Sequence, residues 1–227
     1  MSQFVLQLPL GIGIKDNINF DNFYSKGNEL LVETLRQSNE QYIYIWGDHS
    51  TGKSHLLQAV CHAASSQGLH PVYLPLKESS VLSPNILDGL EQSKVIVLDD
   101  IESVSGQAEW EEALFALYNA VKDENAKLVV SGCLPPSSLN LQLADLESRL
   151  SWGPVFKIES LSDADKCAAV QMRAKQRGLL LADDVAEYMI KRCPRDLESL
   201  FNLLNKLDQA SMVAQRRLTI PFIRTLL

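Results

Sequence analysis

The sequence has no long apolar run. No stretch approaches the roughly 20 apolar residues that a helix needs to cross a bilayer, and the N-terminus lacks the basic start and the small-residue cleavage site of a secretory signal peptide. We therefore expect a cytoplasmic protein that does not associate with membranes.

Cysteine is also scarce. The four cysteines are widely scattered and form no C-x-x-C pair: Cys61, Cys133, Cys167 and Cys193. This spacing indicates neither a metal site nor a disulfide framework. We expect reduced, mostly buried thiols.

The composition is that of a soluble globular chain, with 46% hydrophobic and 22% charged residues among 227. This length can bury a real core, as one large domain or as a main domain with a small satellite. Residues 1–165 carry 10 basic and 22 acidic groups, whereas residues 166–227 carry 11 basic and 6 acidic groups. The basic segment would either face nucleic acid or cover the phosphates of a nucleotide bound to the acidic part. We favour the second reading and expect no strong direct DNA binding, because no basic helix with base-reading character follows.

Residues 47–54 match the pattern G-x-x-x-x-G-K-S, between an apolar run at 42–46 and a helix-like segment at 54–66. Glycines let the backbone approach phosphate oxygens closely, and the N-terminus of the following helix adds partial positive charge. Lys53 would reach the β- and γ-phosphates, and Ser54 would hold Mg²⁺. The predicted nucleotide-contacting residues of this phosphate loop are Gly47, Asp48, His49, Ser50, Thr51, Gly52, Lys53, Ser54 and His55.

Two carboxylates end the apolar run 95–98. Asp99 would bind the water shell of the metal, and Asp100 would orient or deprotonate the attacking water, although its side chain is one carbon shorter than that of Glu. Two solvated acids at a strand end are the alternative. The phosphate loop upstream favours the functional reading.

Apolar runs alternate with helical patterns, which predicts parallel strands joined by crossover helices. The predicted strands are 42–46, 72–76, 95–98, 128–130 and 155–158, and the helices between them are near 54–66 and 107–122. Residues 77–94 contain Ser83-Pro84 and would hold at most a brief helix.

From Ser162 onward the pattern is helical only. Ser162 and Asp165 resemble a capping box, and Gly178 is a typical helix stop. Further helices are predicted at 183–192, along the apolar face from Leu197 to Leu207, and after the cap Thr219. We therefore predict an extended arm at 1–18, an α/β nucleotide domain at 19–160 and a helical lid at 161–227.

Two arginines are candidates for phosphate chemistry. Arg149 lies just before the fifth predicted strand, where a guanidinium would serve the γ-phosphate of a neighbouring molecule. Arg195 begins a lid helix and would point back to the nucleotide of its own chain. A solvated or salt-bridged surface arginine is the alternative for each.

The order of these motifs resembles the AAA+ module of the bacterial replication initiator DnaA. They are Asn-Phe-Asp-Asn-Phe at 19–23, the phosphate loop, Leu-Asp-Asp-Ile, Ser-Arg-x-x-Trp-Gly and Arg-Asp-Leu-Glu. The resemblance implies an α/β fold, a P-loop module with a five-stranded parallel sheet followed by a small helical lid, which binds ADP or ATP with Mg²⁺.

The resemblance also implies roles for particular residues. Phe20, Asn22 and Phe23 would lie near the adenine. Arg149 would be an arginine finger acting in trans, and Arg195 would be the second sensor.

The sequence shows no DNA-reading helix-turn-helix after the predicted lid. Residues 77–94 are also too few for the additional helix with which initiators build filaments and bind origin DNA. The chain is therefore most similar to the Hda family. This similarity implies that it stimulates hydrolysis of DnaA-bound ATP together with the DNA-loaded sliding clamp. Self-association as a dimer or larger assembly is left open.

The predicted arm carries a pattern similar to a clamp-binding peptide. Gln7 would anchor through its amide, while Leu8, Leu10 and Ile12 would fill an apolar groove from alternate positions of an extended chain. A second register begins at Gln3, and an arm that merely packs on the domain is the alternative.

One position departs from the DnaA pattern. Cys133 stands where an aspartate usually serves as the first sensor, and a thiol is a poor hydrogen-bonding partner. We therefore expect little or no ATP turnover by this chain alone. A self-sufficient ATPase of the helicase-loader type and a non-catalytic clamp adaptor remain the rival interpretations.

Overall fold

Five parallel strands form a sheet in the order β2-β3-β4-β1-β5 in the computed structural model, which describes residues 18–194, 196–214 and 218–224. The strands are β1 Tyr42–Trp46, β2 Val72–Pro75, β3 Val95–Asp99, β4 Lys127–Gly132 and β5 Val155–Lys157. All five predicted strands are confirmed. The predicted fold class, a P-loop module with a five-stranded parallel sheet and a helical lid, is confirmed as well.

The central strands are apolar because both faces of the sheet are covered. Every residue of β3 is buried. In the pairing of β1 with β4, Trp46 lies opposite Gly132, so the carboxyl ends of these strands lie side by side. Loops that follow parallel strands therefore meet at one edge of the sheet, where ligands bind in folds of this type.

Helices cover the two faces. They are α1 Glu29–Gln37, α2 Lys53–Ser66, α3 Ala108–Glu124 and α4 Ala144–Leu150. One apolar cluster joins the sheet to α3 and α4, and the other joins it to α1 and α2. The segment from 76 to 92 contains only 3₁₀ turns, at Leu76–Glu78, Pro84–Leu87 and Leu90–Gln92, which agrees with the prediction of at most a brief helix.

The lid consists of α5 Asp163–Gln176, α6 Asp183–Arg192, α7 Leu197–Ala214 and α8 Ile220–Arg224. The Ser162 hydroxyl caps α5 by accepting from the backbone N of Asp165 at 3.2 Å. The Asp165 carboxylate in turn accepts from that hydroxyl at 2.5 Å. The predicted apolar face of α7 is confirmed, since Leu200, Leu204 and Leu207 are buried in the lid core.

The segment before α1 connects the sheet to the lid. The Asn28 side chain donates to the carbonyl O of Glu159 at 3.2 Å and accepts from its N at 2.8 Å. Lys26 Nζ lies 2.6 Å from the Asp165 carboxylate, and Gln176 Nε2 donates to the Asp21 carbonyl at 3.0 Å. Contacts distant in sequence therefore fix the lid against the nucleotide domain.

Among the described residues, no helix has the length and apolarity needed to span a bilayer. The four cysteines are free thiols, as predicted. Only Cys61 is buried, however; the other three are half-buried, so the expectation of mostly buried thiols is wrong.

Candidate nucleotide-binding site

A cavity of about 660 Å³ lies between the phosphate loop and the lid. Residues 49–55 and 22–24 form its walls on the side of the nucleotide domain. Side chains of α5 and α7, among them Arg173, Arg177 and Phe201, form the opposite wall. The volume is in the range of small-molecule and cofactor sites.

Two positions of the phosphate loop require glycine, because neighbouring residues lie too close for a Cβ atom. Gly52 adopts a left-handed φ of 102°, and a Cβ there would lie 2.8 Å from Cε2 of Phe23. A Cβ on Gly47 would lie 2.9 Å from the carbonyl O of Ile158 and overlap the side chain of that residue. No side chain caps the N-terminus of α2, so its first N–H groups are available to an anion.

Lys53 is buried inside the phosphate loop. Its Nζ donates to the carbonyl O of Gly47 at 2.7 Å and to that of Asp48 at 2.9 Å. These bonds hold the ammonium group where the loop would cradle phosphate. Neither Gly47 nor Asp48 lines the cavity, so their contribution is to fix Lys53.

The two predicted acids occupy different environments. Asp99 is buried and accepts from the Tyr73 hydroxyl at 2.7 Å and from the Ser131 hydroxyl. Asp100 lines the cavity with a left-handed φ of 61°. Burial raises the pKa of Asp100, and the charges of Asp99 and Glu102 raise it further. A raised pKa makes this carboxylate a better proton acceptor.

The oxygen donors near the loop are compatible with Mg²⁺. Ser54 lines the cavity, and the buried Asp99 carboxylate accepts from the hydroxyl of Tyr73, another cavity residue. Within the described ranges, no group of three or more His, Cys, Asp or Glu side chains is arranged to hold a metal. Mg²⁺ commonly keeps several waters and uses substrate phosphates as further ligands, so such a cluster is not required.

Of the three residues predicted to lie near the adenine, two line the cavity and one lies in the core. Asn22 and Phe23 line the cavity. Phe20 instead lies in the core beneath the Arg36 guanidinium, whose Cζ is 5.2 Å from the ring centroid, and it does not line the cavity. The first turn of the 3₁₀ helix at 20–22 rotates Phe20 inward.

His55 connects the phosphate loop to this 3₁₀ turn. Its Nε2 lies 3.0 Å from the carbonyl O of Asn19, so Nε2 carries a proton and donates. Burial lowers the pKa of His55 to about 4. The ring is therefore neutral at physiological pH, and its contact with the Asn19 carbonyl is structural.

Cys133 lies beside the phosphate loop. Its Sγ is 3.9 Å from Lys53 Nζ and 3.8 Å from both ring nitrogens of His49. Burial and a hydrogen bond to Glu102 raise the pKa of Cys133 to about 11. The thiol is therefore protonated at neutral pH, and it lies beside the Glu102 carboxylate, whose Oε2 accepts from the backbone N of Cys133 at 3.1 Å.

Arg149 lies outside the cavity, in the last turn of α4. Its Cζ is 3.9 Å from the ring centroid of Trp152 and 5.1 Å from that of Phe115. Lys122 Nζ also lies 5.2 Å from the Trp152 ring. No ion pair of Arg149 occurs in the described part of the chain, and Trp152 is 38% exposed, so a cationic and aromatic surface results.

The structure shows why the Ser-Arg-x-x-Trp-Gly motif ends in a glycine, Gly153. A Cβ at this position would overlap the carbonyl O of Tyr42 and lie 2.7 Å from its carbonyl carbon. Tyr42 also packs edge-on against Trp152, with ring centroids 5.5 Å apart. The close approach of the two backbones thus places Trp152 under Arg149.

Several predicted residues cannot be placed. Arg195 and the clamp-binding pattern Gln7, Leu8, Leu10 and Ile12 lie outside the described residues. Conversely, sequence reasoning missed Arg173 and Arg177 as cavity residues. Their spacing of four on one helix puts them on the same face, which was an available signal.

Comparisons with known proteins agree with this geometry. Residues 85–157 match the sequence profile of the bacterial DnaA ATPase domain, and residues 163–227 match that of the Hda lid domain. A DnaA-type ATPase domain implies binding of an adenine nucleotide.

Solved structures of similar fold include domain III of the replication initiation protein DnaA from Thermotoga maritima. This match has a TM-score of 0.78 and 17% identity, and it covers 95% of this chain and 97% of the other. AMPPCP-bound DnaA from Aquifex aeolicus gives a TM-score of 0.70 with 21% identity, over 87% of this chain and 67% of that one. RuvB from Thermotoga maritima gives 0.63 with 14% identity, over 89% and 66%. At these identities the likeness establishes the fold alone. The two sequence profiles add that residues 85–157 are similar to a bacterial DnaA ATPase domain and residues 163–227 to an Hda lid domain.

Proposed function

We propose that this protein regulates replication initiation by stimulating hydrolysis of the ATP bound to the initiator DnaA, in a complex with the DNA-loaded sliding clamp. Arg149 would complete the active site of the initiator in trans. The match of the lid to the Hda lid domain supports this role.

The observation that carries the proposal is the position of Arg149. Its guanidinium stacks on Trp152 at the surface, pairs with no carboxylate among the described residues, and does not line the cavity of its own chain. An arginine with these properties is suited to a phosphate held by another protein. Arginine fingers supplied in trans contribute about 10³–10⁵ in rate in GTPase systems.

The aromatic stack also suits the chemistry. A planar guanidinium packed on an indole is restricted in orientation, and guanidinium matches the geometry of phosphoryl oxygens. Phe115 on α3 borders the same stack.

We propose that the chain's own ADP or ATP is a scaffold between the two domains. Lys53 and the N–H groups of the phosphate loop would bind the phosphates, Ser54 and the water shell on Asp99 would hold Mg²⁺, and Arg195 would contact the nucleotide from the lid. The neutral Cys133 thiol beside Lys53 favours slow turnover. Asp100 would be the base for any residual hydrolysis.

The clamp would be bound through Gln7, Leu8, Leu10 and Ile12. This part of the proposal rests on the sequence pattern alone. A Gln7→Ala protein is expected to lose retention on clamp-coated beads.

Single-turnover hydrolysis of radiolabelled ATP bound to DnaA, with clamp loaded on DNA, tests the finger. We expect Arg149→Ala to reduce stimulation at least 10³-fold. Arg192→Ala is the control, because it removes an exposed arginine that also lies against an aromatic ring, with Cζ 5.9 Å from the Tyr188 centroid. It is expected to retain stimulation.

Undiminished stimulation by Arg149→Ala would contradict the finger assignment. Rapid ATP turnover by the purified chain alone would favour the loader-type ATPase. If deletion of residues 1–12 abolished activity while Arg149→Ala and Lys53→Ala had no effect, the adaptor interpretation would replace the proposal.

A further inference from the structure

Arg173 projects from α5 into the cavity between the lid and the phosphate loop. It lines this cavity and also a second one of about 360 Å³, whose other lining residues are Asn19, Asp21, Asn22, Gln176 and Arg177. Its Cζ lies 5.3 Å from the ring centroid of Phe201 on α7, so the aliphatic stem and the guanidinium plane are supported by the lid core.

The Arg173 guanidinium has no hydrogen-bonding or ionic partner among the described residues. Its Nε is buried without a hydrogen bond, and no carboxylate lies within ion-pair distance. Burial and the nearby Arg177 lower the pKa of Arg173. A half-buried cation without a counter-ion is costly unless an anion arrives.

The neighbouring charges do not supply this anion. Arg177, one turn later, lies 3.8 Å from Asp208 and is partly neutralised. His55 is neutral, and the charge of Arg173 contributes to the depression of its pKa. The charged side chains of the cavity wall are Lys53, Lys77, Arg173, Arg177, Asp100 and Glu198, which leaves a cationic surplus.

We propose that Arg173 binds the phosphate groups of a nucleoside di- or triphosphate seated in the phosphate loop, as an anion contact from the first lid helix that is additional to Arg195. This inference rests on the proposed nucleotide binding by the chain. The nucleotide would thus be held from the loop by Lys53 and from α5 by Arg173, and its phosphates would neutralise a charge that otherwise destabilises the closed lid.

The arrangement makes two opposite predictions for one substitution. Arg173→Met keeps the apolar packing on Phe201 and removes the charge. The ligand-free protein should then unfold at an unchanged or higher temperature, because an uncompensated charge is gone. Affinity for ADP should fall roughly 10- to 100-fold, the range for one hydrogen-bonded ionic contact.

The experiment is isothermal titration of full-length protein with Mg²⁺ and ADP, combined with thermal unfolding with and without ADP. Arg173→Lys keeps the positive charge but lacks the planar guanidinium with its several N–H donors, and it is expected to bind ADP with intermediate affinity. Lys175→Met, at an exposed position of the same helix, is the matched control and should bind ADP like wild type. Millimolar adenosine, which lacks phosphate, should stabilise wild type and Arg173→Met to the same extent.

The outcomes separate the two proposals. If wild type binds ADP and Arg173→Met binds it within twofold, the phosphate role of Arg173 is refuted while the scaffold proposal stands. A lower unfolding temperature with unchanged ADP affinity would assign Arg173 a purely structural role. Failure of wild type to bind ADP would refute the nucleotide scaffold itself.

Discussion

At the scale of single residues, His55 shows how burial fixes a protonation state. The ring contacts Phe23 at 5.5 Å between centroids, and its Nε2 bonds to the Asn19 carbonyl. Burial holds its folded-state pKa at about 4, whereas an unperturbed histidine titrates near 6.5. As the pH falls through this interval, His55 is protonated in the unfolded chain but stays neutral in the folded chain.

This difference predicts a pH dependence. Because the folded pKa is depressed, the contribution of His55 to stability is complete above about pH 6.5 and declines as the pH falls toward 4. Between pH 7 and 5 the loss is about 2 kcal/mol. In His55→Gln the amide can still donate to Asn19, so urea unfolding should lose this pH dependence. His70→Gln, at an exposed position, should keep it; identical slopes for His55→Gln and wild type would contradict the assignment.

Residue types indicate the phosphate loop from the sequence alone, because the motif is contiguous and its glycines act locally. The environment of Arg149 was not predictable, since its partner Phe115 lies far upstream on α3 and meets it only after folding. Phe20 was placed at the adenine by resemblance, but the 3₁₀ turn rotates it into the core. The sequence does not indicate Arg173 as a cavity residue, because only packing of the lid on the nucleotide domain brings it to the cavity.

At the scale of elements, the position of α4 depends on one buried acid of α3. Glu111 accepts from the backbone N of Gly106 at 2.7 Å and from those of Gln142 and Leu143 at 2.8 Å each. The last two precede α4, the helix that carries Arg149. A single carboxylate therefore joins two loops and sets where α4 begins.

Glu111→Ala should leave these three N–H groups without their acceptor and lower the free energy of unfolding by about 3 kcal/mol. Urea denaturation is the measurement. Glu112→Ala, at the exposed neighbouring position, is the matched control and should change stability by less than about 0.5 kcal/mol. Equal effects of the two substitutions would show that Glu111 does not organise the loops.

Most elements were predictable from the sequence, because buried parallel strands give apolar runs that alternate with helices. Helix α1 was missed although Leu31, Val32 and Leu35 form one buried face. It precedes the first strand, and Asn28 provides no side-chain cap, so the alternation gave no signal for it. Among the lid helices, caps indicate α5 and α8, and the apolar face indicates α7.

At the scale of the whole molecule, the acidic and basic halves of the sequence meet at the nucleotide cavity. Arg173 and Arg177 bring lid charge to the wall opposite the phosphate loop. This placement supports the interpretation of the basic segment as a cover for phosphates rather than a DNA-binding surface.

Asn28 is buried and bonds both backbone groups of Glu159, where the nucleotide domain leads into the lid. Asn28→Ala should lower the free energy of unfolding by about 2 kcal/mol and weaken ADP binding, because the lid loses its register on the nucleotide domain. Asn28→Asp keeps the acceptor for the Glu159 N–H and should be intermediate. Thermal unfolding and ADP titration check both effects; unchanged ADP affinity in Asn28→Ala would show that the junction does not control the site.

Ile18, at the start of the described chain, is itself part of the cavity wall. The proposed clamp-binding pattern ends six positions earlier, at Ile12, and six residues span at most about 20 Å. Any protein bound to that pattern would therefore lie within this distance of the cavity wall. Clamp binding at this pattern and nucleotide binding in the cavity would therefore take place close to each other.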